Sequence, residues 1–295
     1  EVSGAVEIRR VGATKDRLGE GPLWDVTEQA LYWVDSMDRI IHRYDPARGE
    51  FRDWTLPAEI GSMALREMGG AVLSLATGLH LFDFASGQAT LVIDPESNEP
   101  RTRFNDGKVD RQGRFVAGTM AREIRDRPLG ALYRLNPNLS LETMEREIIV
   151  SNGPGFSPDG KTLYFADSPL RAIFAFDYDP AGGPLRNKRK LIDTAPLDTA
   201  PDGATVDAEG FIWSALVLSG RIGRFAPDGR LDRIIDVPVS FPTSVMFGGP
   251  DLDILFVTSI SEPLRGRTPS EPEAGGLLAI HGLGVRGLPE PRFRG

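Results

Sequence analysis

Four short motifs in this 295-residue chain put an oxygen-bearing side chain directly before a glycine: Glu20-Gly21, Asn105-Asp106-Gly107, Asn152-Gly153 and Asp202-Gly203. Carboxylates and amide carbonyls are hard donors, suited to Ca²⁺, Mg²⁺ or Mn²⁺ and tolerated by Zn²⁺ or Fe²⁺. Two carboxylates and an amide, with water completing the shell, leave a cation open on one side. Such an ion polarises a carbonyl oxygen and acidifies water, the chemistry of activated-ester hydrolysis. Rival chemistries lack their residues. The chain has no cysteine, so thiolate catalysis and Cys-ligated zinc are excluded, and its three histidines, His42, His80 and His281, are scattered. It contains no G-x-S-x-G, H-E-x-x-H or P-loop motif.

Motifs so far apart can meet only if the chain returns to one place at a regular interval. A phrase of small turn, apolar strand, Gly or acidic turn and second apolar strand recurs. Gly21-Pro22-Leu23-Trp24-Asp25 leads to Leu31-Tyr32-Trp33-Val34-Asp35, and Gly155-Phe156-Ser157-Pro158-Asp159 leads to Leu163-Tyr164-Phe165-Ala166-Asp167. Units begin near residues 20, 62, 106, 152, 202 and 243. A period of about 40–50 residues with three or four strands per unit is the signature of a propeller blade. The chain is therefore expected to be all-β, a six-bladed β-propeller with a central channel, residues 1–295 forming one domain. The strand-like residues 5–11, at the N-terminus, are expected to complete the last blade beside Leu277-Leu278-Ala279-Ile280.

The first strand of a propeller blade lines the axis, so the side chains at its start converge on one end of the channel. Converging carboxylates repel and are costly to desolvate unless a positive charge lies between them. A bound divalent ion resolves this. Pro-Asp-Gly is ordinarily a turn, and its copies at 158–160 and 227–229 fall between strands. The copy at 201–203 instead precedes the first strand of its unit, where the others carry Glu20 and Asn152. Asp106 either orients a ligand or caps a turn. Asp35-Ser36 and Asp167-Ser168 close second strands and read as turn or packing residues, while Trp24, Trp33, Phe156, Phe165 and Trp213 read as blade-to-blade packing.

Composition agrees. The apolar content of 40% supports a sizeable core, and a net charge of −8 without a basic block argues against nucleic acid or an anionic membrane as partner. No apolar run approaches the ~18 residues of a membrane span. A soluble, cytoplasmic monomer with a small-molecule partner is expected.

The same residues are dense in motifs of a known family. Leu18-Gly19-Glu20-Gly21-Pro22-Leu23-Trp24, the block from Arg103-Phe104-Asn105-Asp106-Gly107-Lys108 to Asp110, Ser151-Asn152-Gly153, Pro201-Asp202-Gly203 and Glu273-Ala274-Gly275-Gly276 resemble the SMP-30/gluconolactonase/LRE family. The resemblance implies a six-bladed propeller with one divalent ion (Ca, Zn, Mn, Mg or Fe(II)) at the channel mouth, hydrolysing aldonolactones to aldonic acids. It implies Glu20, Asn152 and Asp202 as metal ligands, Asp202 also helping to activate water, and Arg103, Asn105 and Glu123 as contacts to the sugar lactone. Residues 122–130 depart from the family in their charge, at a lid-like position that shapes the sugar pocket. Two alternatives stand beside this: a non-catalytic calcium-binding regulatory protein, and a phosphotriester-type hydrolase.

Overall fold

The computed structural model describes residues 4–123 and 127–295. They form six four-stranded antiparallel sheets, the blades of a β-propeller. Among the described residues the helical segments are single 3-10 turns, Ser168–Leu170 and Ala195–Leu197. No helix is long and apolar enough to cross a membrane.

Blades 1 to 6 open with the innermost strands Gly19–Asp25, Ile60–Leu65, Thr102–Val109, Ser151–Phe156, Pro201–Val206 and Pro242–Gly248. Each blade is stacked between two others, so its middle strands are covered on both faces and read as continuous buried runs, as in Ala30–Asp35. Outermost strands such as Glu50–Thr55 are largely exposed and polar. Apolar clusters fill the gaps between neighbouring blades. Tyr32, Ile41, Met63 and Leu73 join blades 1 and 2, and Phe156, Phe165, Val116 and Leu132 join blades 3 and 4. Trp24, Trp33, Phe156, Phe165 and Trp213 are all buried there. Stability is therefore spread around the ring.

Two features close the molecule. The N-terminal strand Glu7–Val11 pairs antiparallel with Leu277–His281, Glu7 opposite His281 and Val11 opposite Leu277. It becomes the outermost strand of blade 6. The C-terminal residues 286–295 then run across the channel mouth at the far ends of the innermost strands. Arg286 O accepts from Ala208 N, Gly287 N donates to Leu252 O, Phe293 N to Leu65 O and Arg294 N to Gly113 O. Arg292 clamps Asp25 at 2.7 and 3.0 Å. Since these strands run in one direction about the axis, the tail lies opposite the mouth where Glu20, Asn152 and Asp202 begin theirs.

Candidate metal centre

Each innermost strand breaks register with its partner just after its start, and each break inserts one extra residue. The breaks fall at Glu20/Leu23, Ile60/Ser62, Phe104/Gly107, Asn152/Gly155, Pro201/Ala204 and Pro242/Ser244. A bulge bends a strand and re-aims the side chains beside it. Here the same device recurs at the site positions. The small residue that follows lets neighbouring strands close in. A Cβ on Gly61 would lie 2.2 Å from Asn105 O, and one on Gly153, whose φ is +52°, would lie 2.7 Å from Asp202 O. Only glycine satisfies both demands at position 153.

The structure brings Glu20, Asn152, Asp202 and Asp106 together. Glu20, Asn152 and Asp106 are 4–5% exposed and Asp202 is 9% exposed. Burial, then the facing charge of Asp202, then Asp106, push the Glu20 carboxyl well above the usual carboxylate range, against a 3.2 Å hydrogen bond from Gly21 N. Asp106 is also raised by burial, although Lys108 and hydrogen bonds from Gly153 N and Gly107 N, both 2.9 Å, act against it. Asp106 thus spans two blades, tying the Asn152 strand to its own. Caps and orienting bonds coincide in it.

Asn152 is held from both ends. Its Nδ2 donates to Ser168 Oγ at 2.8 Å, and Ser168 Oγ donates to Pro201 O at 2.7 Å, one residue before Asp202. Its Oδ1 accepts from Asn105 Nδ2 at 3.0 Å. Asn105 Nδ2 also donates to Ser151 O at 2.8 Å, and Arg103 donates to Asn105 Oδ1 at 3.2 Å. These bonds assign Asn152 Oδ1 as the carbonyl that an ion would meet.

Asp35 and Asp167 have a larger task than closing a strand. Asp35 accepts from Arg17 N and Leu18 N, and Asp167 from Ile149 N and Val150 N, clamping the chain just before Glu20 and Asn152. The serines that follow reach the next blade: Ser36 Oγ donates to Ile60 O as Ser168 Oγ does to Pro201 O. A signal was present in the sequence, because Asp35 follows Glu20, and Asp167 follows Asn152, at the same interval.

Arg103 lines a cleft of about 260 Å³ with Thr102, Phe104, Thr119 and Arg122. Its guanidinium and that of Arg122 each stand 3.8 Å from Glu59. Glu123 is exposed at the end of that edge, and the lid-like stretch continues into residues 124–126, outside the described residues.

The donor chemistry fits a hard divalent ion. Among the described residues no three His, Cys, Asp or Glu side chains converge as a ready-made cage, so the donors available are two mutually repelling carboxylates and an oriented amide oxygen. That set leaves positions for water and substrate.

The match to known proteins agrees in extent and fold. Regucalcin of Gallus gallus is 37% identical over 297 residues, covering 99% of each chain. The 6-deoxy-6-sulfogluconolactonase of Pseudomonas putida is 36% identical over 280 residues, covering 94% of this chain and 95% of that protein. A solved calcium-binding protein, regucalcin from Agrobacterium tumefaciens, superposes with a TM-score of 0.90 at 30% identity over 97% of both chains. Residues 18–261 match the model of the SMP-30/Gluconolactonase/LRE-like region, and the chain belongs to that family.

Proposed function

We propose that this chain is a divalent-metal-dependent lactonase that opens five- or six-membered aldonolactones to aldonic acids in sugar breakdown. The observation that carries the reading is the buried pair Glu20 and Asp202, held face to face beside an amide whose carbonyl is oriented by Asn105 and Ser168. Buried like charges that face each other destabilise a purely structural channel. The names of two relatives, a sulfogluconolactonase and a calcium-binding regucalcin, support both the substrate class and the ion.

Glu20, Asn152 and Asp202 would hold the ion. When bound, it supplies positive charge that draws electrons from the lactone carbonyl and lowers the pKa of nearby water. Asp202 accepts a proton from the attacking water as the new C–O bond forms at the carbonyl carbon. The ring C–O bond then breaks and the ring oxygen takes up the proton, leaving a hydroxyl and a carboxylic acid. Arg103, at the cleft, and Glu123, at its rim, would fix the sugar hydroxyls. Both Nδ2 hydrogens of Asn105 are engaged by protein, so its contact to substrate would be through Oδ1 as acceptor.

Proton release from a panel of aldonolactones and a phosphotriester, before and after chelation, tests the reading. Chelator-sensitive turnover confined to lactones is the expected result. Tight ion binding without turnover of any lactone would favour the second reading, a calcium-binding protein without catalysis, for which the named calcium-binding relative speaks.

A further inference from the structure

Just inside the carboxylate ring the channel narrows to a cavity of about 20 Å³, bordered by Asp106, Lys108, Ser244, Met246 and Glu290. That is room for one water and none for a sugar. Lys108 enters it from the innermost strand of blade 3, and its Nζ donates to Ala204 O on the strand that carries Asp202. The charges facing it are Asp106, Glu290 from the C-terminal tail, and Arg111. Glu290 and Arg111 stand 3.7 Å apart and offset each other.

A charge count follows. Glu20 feels the charges of both Asp202 and Asp106; ionised around a cation, these three carboxyls would carry three negative charges, against which Lys108 sets a single positive one. We propose that Lys108 is a positioning residue of the metal centre, a fixed counter-charge to Asp106 that leaves the ring with two net negative charges and so matches it to a divalent ion. Without it the ring would over-neutralise a bound ion and weaken its pull on the lactone carbonyl. Burial holds the lysine's pKa below its ordinary value, with Arg111 acting the same way and the carboxylates of Glu290 and Asp106 opposing it in part. The inference rests on Glu20, Asn152 and Asp202 being the ligands.

The test is a calorimetric titration of the metal-free full chain and its Lys108→Met variant with Ca²⁺ and, separately, Tb³⁺. A removed positive charge strengthens binding in proportion to the charge of the ion. Ca²⁺ affinity should rise about tenfold and Tb³⁺ affinity about thirtyfold, so the Tb³⁺/Ca²⁺ ratio rises about threefold. Glu290→Gln reads the same field with the opposite sign and does not depend on Lys108→Met folding: both affinities fall, that for Tb³⁺ more. An unchanged ratio in these variants, or equal weakening of both ions in Lys108→Met, overturns the role of Lys108 and leaves the metal centre standing. A wild-type chain that takes up neither ion overturns both.

Discussion

At the scale of residues, the centre works against the fold that carries it. Glu20 and Asp202 are buried with their charges facing, and the ion is what would make that arrangement favourable. Replacing Asp202 by Asn keeps the shape and removes the repulsion. The metal-free Asp202→Asn protein should therefore unfold at a temperature equal to or above that of metal-free wild type, while the rise in melting temperature that added Ca²⁺ produces in wild type disappears. Thermal denaturation with and without Ca²⁺ checks both halves. A variant that is less stable without metal and still stabilised by Ca²⁺ would show Asp202 to be a structural residue. The positions of Glu20, Asn152 and Asp202 were legible because each stands at the same point of a repeat. The bonds that aim them were not: Asn105 to Asn152 and Ser168 to Pro201 cross between blades, and local sequence does not report which side chain faces which.

Elements set the precision of the site. The bulge after each strand start and the glycine within it let innermost strands approach to backbone contact, as Gly153 shows against Asp202 O. Gly153→Ala adds a methyl where φ is +52° and the space is taken. It should cost about 1–3 kcal/mol and weaken metal binding. Gly49→Ala is the control, since it shares a positive φ but points into open space. Urea titration and calorimetry on the pair separate backbone strain from damage to the centre; equal losses in both would remove the close approach from the account.

Blade 1 carries a different kind of tie. His42 Nε2 lies 2.7 Å from Asp16 and Nδ1 2.6 Å from Asp53. Asp16 in turn accepts from Trp33 Nε1, and its backbone meets Gly275 in the closing blade. Burial draws His42 down, but its hydrogen bonds to Asp16 and Asp53 outweigh this and raise its pKa. A raised folded value means that the stabilisation is complete below the unfolded value of about 6.5 and is lost as pH rises through the folded one. The stability gap between wild type and His42→Gln should therefore narrow from pH 6 to pH 9. A gap that is flat, or widens, would show that the imidazole contributes by packing alone.

For the whole molecule, the ring and the family were readable because one phrase returns six times with its turn residues in place. The C-terminal tail has no repeat to mark it, so neither its path across the far mouth nor the approach of Glu290 to Lys108 could be read along the chain. That tail is anchored by Phe293, fully buried among Phe104, Phe115, Ala64 and Leu79 between blades 2 and 3. Phe293→Ala should cost about 3–5 kcal/mol, measurable by denaturant titration. A loss within about 0.5 kcal/mol, the range of surface changes, would mean that the tail is not part of the cooperative fold. With the tail across the far mouth, the proposed substrate and ion would enter by the mouth where Glu20, Asn152 and Asp202 lie.

The most direct measurement titrates a divalent ion into the metal-free chain while proton release from an aldonolactone is followed in the same cell, with Asp202→Asn in parallel. Turnover should climb with added ion, level off at one ion per chain, and be absent from the variant. Hydrolysis at full rate without metal, or equal in Asp202→Asn, would contradict a metal centre built on Glu20, Asn152 and Asp202.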